Sequence, residues 1–105
     1  MYAVERTEQA IEAIREIRSY LDDFADDSDI AKVLLRIRET VNSLAELPTR
    51  RRRYLPPVAR DPSIRCASAG KYVVYFGIDE PAARVYVLDV QHRRRNPAFV
   101  RRRLS

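Results

Sequence analysis

The sequence predicts an α+β fold of two layers in the order β-α-α-β-β-β, with a helical hairpin packed on a mainly antiparallel sheet. Three observations carry that expectation. Two apolar stripes at helical spacing occupy residues 7–47, a segment rich in proline and arginine covers 48–62, and a stretch dense in β-branched and aromatic residues runs over 63–92. A block of helix followed by a block of strand segregates the helices to one face of an antiparallel sheet. The 105 residues suit one domain and leave no room for a second core.

In the opening "MYAVERT", Tyr2, Val4 and Arg6 alternate with Ala3 and Glu5, which reads as a short strand. Thr7 suits a helix N-cap, and Glu8 falls in the first turn, where a negative charge favours the helix dipole. Ala10, Ile11, Ile14, Ile17, Leu21 and Phe24 then recur at three- and four-residue steps as one apolar stripe. "DDFADDSD" interrupts it, with Ser28 or Asp27 the expected cap of a second helix. Ile30, Val33, Leu34, Ile37, Val41 and Leu44 form the second stripe, which stops at Pro48 because proline disfavours a helical residue before it. So short a linker folds the helices back as an antiparallel hairpin. Stripes at this spacing are core, not site.

The segment "PTRRRRYLPPVARDP" cannot continue a helix and makes a poor central strand, so residues 48–62 are expected to form an exposed basic loop. Three strands follow within 63–92. The first turns back at Ala69-Gly70, where glycine tolerates a positive φ, and the second ends at a turn in "DEPAA". In the third, Tyr86, Leu88 and Val90 alternate with Val87, Asp89 and Gln91, which predicts one set on each face. Residues 93–105 are left as a basic tail.

Charge is distributed unevenly. Residues 1–47 hold eleven acids and six bases, a balance of −5, whereas 48–105 hold four acids and fourteen bases, a balance of +10. A half so basic concentrates a positive field, as expected for a partner rich in phosphate or carboxylate. No apolar run approaches the roughly 20 residues of a membrane helix, and no signal-peptide pattern opens the chain, so no membrane partner is expected. Cys66 is the only cysteine, so no disulfide forms within the chain, and a reducing bacterial cytoplasm is the expected setting. Its bland reading is a buried strand residue. No cofactor and no metal are expected.

The strand and hairpin ending in "LAELP", followed by "IRCASAGKYVVYF" and "VYVLDVQHRRRNP", resembles the RelE/ParE superfamily of bacterial type II toxins. The likeness rests on Arg65, Gly70, Lys71, Tyr72, Val74 and Tyr75 in the first segment, and on Val90, His92, Arg94, Arg95 and Pro97 in the second. It implies a growth-inhibiting toxin neutralised by a cognate antitoxin protein with an acidic C-terminal segment. In the ParE-like branch the target is DNA gyrase. In the RelE-like branch the toxin cleaves messenger RNA on the ribosome.

Residue chemistry bears on the choice. Cleaving RNA through its own 2′-hydroxyl needs a base, an acid and cations for the phosphorane. Cations abound in Arg65, Lys71, Arg93, Arg94 and Arg95, but His92 is the one residue suited to proton transfer near neutrality. Asp89 projects from the opposite strand face, which keeps it from pairing with His92. The tail "RRRNPAFVRRRLS" offers Phe99 but no tyrosine, and phenylalanine cannot move a proton. The ending is closer to the ParE-like branch, with His92, aided by Arg65, catalytic only in the alternative reading of a metal-independent endoribonuclease. Arg50, Arg51, Arg52, Arg53, Lys71, Arg93, Arg94, Arg95, Arg101, Arg102 and Arg103 are the candidate contacts for antitoxin or target, because arginine forks bind carboxylates and phosphates bidentately. A third reading is a non-toxic nucleic-acid-binding module, but neither helix is basic enough to enter a groove and no helix-turn-helix or RNP pattern is present.

Overall fold

A computed structural model describes residues 1–54 and 63–104, so part of the basic loop, 55–62, and the last tail residue lie outside the described residues. Strand β1 (Ala3–Arg6) leads into helix α1 (Glu8–Asp22) and helix α2 (Asp27–Ser43). After a single 3-10 turn at Pro48–Arg50 come β2 (Arg65–Ala69), β3 (Tyr72–Asp79), β4 (Arg84–His92) and a short helix α3 (Pro97–Arg103). The four strands form one sheet in the order β1-β4-β3-β2. Only the β1–β4 pairing is parallel, so the fold is the expected α+β arrangement on a mainly antiparallel sheet.

Thr7 caps α1 as expected: its hydroxyl accepts from the Ala10 N–H at 3.2 Å and donates to the Val87 carbonyl at 2.8 Å. The second cap differs from expectation. Asp26, not Asp27 or Ser28, takes the Asp29 N–H at 2.8 Å, because Asp27 and Ser28 are already inside the first turn. Both helix stripes close on one face of the sheet. Ala10, Ile37, Val41 and Leu44 pack with Ala67, Val74, Phe76, Val85 and Val87, all but closed to solvent. Ile11 and Phe24 depart from the expected stripe and stay exposed, at 38% and 71%.

The β2–β3 hairpin closes over Gly70 and Lys71, with Ala69 opposite Tyr72 and Gly70 at φ 64°. A bulge changes β4. Tyr75 pairs with Asp89 but Phe76 pairs with Val87, so Leu88 has no partner and the alternation slips by one. Val90 therefore joins Val85 and Val87 on the hairpin side, against the expectation that grouped it with Tyr86 and Leu88.

Two further elements cover the other sheet face. Arg53 bridges Arg65 antiparallel, which continues the sheet beyond β2 with the front of the basic loop. The tail is not a plain extension but folds as α3: Asn96 accepts from the Ala98 N–H at 2.8 Å and Pro97 occupies the first turn. Val100, with Phe99 and Leu104, then packs on Ile64, Cys66, Val73 and Tyr75 as a second, smaller core. Cys66 is buried there as the bland reading had it, and burial pushes its thiol pKa up.

Candidate functional site

Pairing of β3 with β4 sets His92, the last residue of β4, opposite Tyr72, the first of β3. Their rings meet edge to face, with centroids 5.4 Å apart. Immediately beyond, the Arg93 N–H donates to the Lys71 carbonyl at 2.8 Å, so the β2–β3 turn and the exit from β4 run side by side. The Arg95 N–H turns back onto the His92 carbonyl at 2.9 Å. Lys71, Arg93, Arg94 and Arg95 thus share one end of the sheet with the imidazole. Of the cations expected to gather near His92, Arg65 does not lie at this end of the sheet.

The state of the imidazole follows from its contacts. The Arg94 backbone N–H donates to Nδ1 at 3.1 Å. That bond needs a lone pair on Nδ1, so the ring is held neutral with its proton on Nε2. Partial burial, then the charges of Arg93, Arg94 and Lys71, lower the His92 pKa below the usual 6.5. Asp89 is on the far face, fully buried against Arg103 and Gln91. No ion pair joins His92 to a carboxylate among the described residues. A ring whose Nδ1 is occupied and whose Nε2 is protonated is poorly placed to accept a hydroxyl proton.

Beside this end of the sheet a groove of about 370 Å³ runs along α1. Ile17 and Tyr20 line its helix side, Tyr72 and His92 its floor, and Arg94 and Arg95 its rim. The Tyr20 and Phe24 rings meet at a tilt of 39° with centroids 4.7 Å apart, and both are largely exposed, at 63% and 71%. Tyr20 and Tyr72 were not among the sequence candidates. A Tyr20–Phe24 pair one helical turn apart was visible in the sequence, whereas the place of Tyr72 depends on strand register.

The remaining candidates are dispersed. Arg65 lies four positions from the turn along β2, and its guanidinium donates to the Arg51 carbonyl at 2.8 Å. It is not beside His92. Arg51 donates to the Ser43 hydroxyl at 3.1 Å, Arg50 closes the 3-10 turn, and Arg52 and Arg53 lie in the exposed segment next to β2. Arg101 and Arg102 extend along α3, with Arg101 close enough to Tyr54 to oppose the rise that burial gives its phenol pKa. Arg103 turns inward onto Asp89. Among the described residues no group of three or more His, Cys, Asp or Glu side chains is placed to hold a metal ion.

The family model for the ParE toxin of the type II toxin–antitoxin system parDE matches residues 4–97. Among solved structures, the chain is similar to one in the chromosomal ParDE toxin–antitoxin system of P. aeruginosa, with a TM-score of 0.71 at 15% identity over 88% of this chain and 96% of that one. It is also similar to one in the RelBE2 toxin–antitoxin complex of Mycobacterium tuberculosis, with a TM-score of 0.64 at 22% identity over 88% of this chain and 98% of that one. Among curated protein sequences, none matches. At such identities the two structures speak for the fold alone.

Proposed function

The chain belongs to the ParE toxin family of type II toxin–antitoxin systems, and from that premise we propose that it inhibits bacterial growth by binding DNA gyrase in the cytoplasm and does not cut RNA. One observation carries this reading. The only histidine is held neutral, with Nδ1 engaged by the Arg94 N–H, and it has no carboxylate partner among the described residues. What surrounds it is a set of guanidinium and ammonium groups suited to recognition rather than to proton transfer.

The cognate antitoxin supplies an acidic C-terminal segment that lies along the groove beside α1. Its apolar residues meet Ile17 and Tyr20, and its carboxylates meet Arg94 and Arg95 at the rim. Occupying that end of the sheet keeps gyrase from the same cations, which is how neutralisation works in this reading.

Gyrase supercoiling in vitro is the test. Purified protein blocks supercoiling, and glutamate at Arg93, Arg94 and Arg95 together weakens the block at least tenfold. Supercoiling that proceeds normally at high molar excess of the protein contradicts the reading.

A further inference from the structure

On the sheet face away from the hairpin, a second hollow of about 370 Å³ opens between the Arg52–Tyr54 segment, the β2–β3 hairpin and the turn after β4. Arg52, Arg53 and Arg93 line it, together with Ser68, Tyr54 and Tyr75. No carboxylate is among its described lining residues. The ion pairs among the described residues are Glu12–Arg15, Glu5–Arg84 and Asp89–Arg103, and none of them engages these three guanidiniums.

Like charges gathered around one concavity repel one another, and a bound anion relieves that repulsion while the low-dielectric wall strengthens its hold. Burial pushes the Tyr75 phenol up to about 12, so at neutral pH it stays a neutral hydroxyl donor and adds no competing anion. Three arginine forks match the oxygens of a dianionic phosphate better than one carboxylate. The volume exceeds that of a bare phosphate and falls at the lower end of small-ligand pockets, roughly 300–1,000 Å³. The half-buried ring of Tyr54, set edge to face on Tyr75 at 5.1 Å, offers an aromatic surface beside the cations.

We propose that this hollow binds the phosphate monoester of a nucleoside-sized ligand, with Arg52, Arg53 and Arg93 on the phosphate and Tyr54 against the base. It goes beyond gyrase inhibition and holds whether or not gyrase is the target. The same chemistry is offered by a free nucleotide and by the 5′-phosphorylated end of a strand.

Titration calorimetry on the full chain with adenosine 5′-monophosphate at low salt tests it. The nucleotide binds saturably with one site per chain, and adenosine without its phosphate does not bind. A 5′-phosphorylated dinucleotide that binds as tightly assigns the strand end as the source, whereas binding at least tenfold weaker assigns the free nucleotide. Joint replacement Arg52→Gln and Arg93→Gln lowers affinity at least tenfold. Joint replacement Arg18→Gln and Arg38→Gln, the same charge change on exposed hairpin positions, leaves affinity within twofold. Ser68→Glu, at an exposed strand position, sets a carboxylate in the hollow and reproduces the loss without touching the arginines. Absence of nucleotide binding, equal weakening by the two arginine pairs, or unchanged binding by the Ser68 variant overturns the assignment.

Discussion

Arg103 of α3 and Asp89 of β4 meet through two hydrogen bonds, Nε to Oδ2 at 2.8 Å and Nη2 to Oδ1 at 3.2 Å. Asp89 is fully buried, and its carboxylate also accepts the Val90 N–H at 3.0 Å and the Gln91 amide at 3.2 Å. The α3 end of this contact is held from the other side too, since the Gln9 amide donates to the Arg103 carbonyl at 2.9 Å. Arg95 lies 4.0 Å over the Phe99 ring, and Arg103 flanks the same ring at 5.7 Å. A basic tail that would otherwise be solvated is thereby fastened to the sheet.

Removing one partner of this pair strands the other. Arg103→Met leaves a buried carboxylate with only neutral donors and is expected to cost about 3 kcal/mol. Replacing both, Asp89→Leu with Arg103→Met, removes the stranded charge and restores most of that loss. Urea unfolding measures both, and a double variant no more stable than the single one contradicts the buried-charge explanation.

The turn between β3 and β4 carries a smaller strain. Ala83 has φ 51° while its N–H donates to the Glu80 carbonyl at 3.0 Å, a left-handed conformation that costs an L-residue roughly 1 kcal/mol. Glycine relieves that cost but loses more backbone entropy on folding. Ala83→Gly is therefore expected to raise stability by about 0.5 kcal/mol, read as a higher thermal midpoint with unchanged oligomeric state. A lower midpoint shows that the turn is unstrained.

Proton NMR of His92 reports directly on its setting. With the folded pKa below 6.5, the unfolded chain takes up the proton first as pH falls. The imidazole thus favours the folded state fully above pH 6.5, and that contribution is lost as pH drops toward the folded value. The folded-state titration midpoint is expected below 6.5, and His92→Gln abolishes this part of the pH dependence of unfolding. A midpoint above 6.5 means that a carboxylate faces the ring.

Much of this was legible in the chain. Thr7, the two helical stripes and the glycine turn before Lys71 fix the hairpin and the β2–β3 connection through local rules alone. The faces of β4 were not readable, because strict alternation assumes a regular ladder and the bulge at Leu88 shifts every later residue. The helix in the tail had its signals in Asn96 and Pro97, but a run of arginines hid the apolar trio Phe99, Val100 and Leu104 that seats it. The inward turn of Arg103 depends on a tertiary contact with Asp89 that no local pattern encodes. For the candidate site, the gathering of Lys71 and Arg93 to Arg95 around His92 followed from strand pairing. The occupied Nδ1 did not, because it depends on how the backbone turns after the strand.

Binding without cutting is tested most directly by His92→Asn, whose Oδ1 takes the place of Nδ1 and still accepts the Arg94 N–H but which cannot transfer a proton near neutrality. Induced in growing cells without antitoxin, this variant is expected to arrest growth within about twofold of the wild-type chain while leaving messenger RNA intact. Lost toxicity in a variant that remains folded contradicts the central claim and makes the imidazole a proton-transfer group.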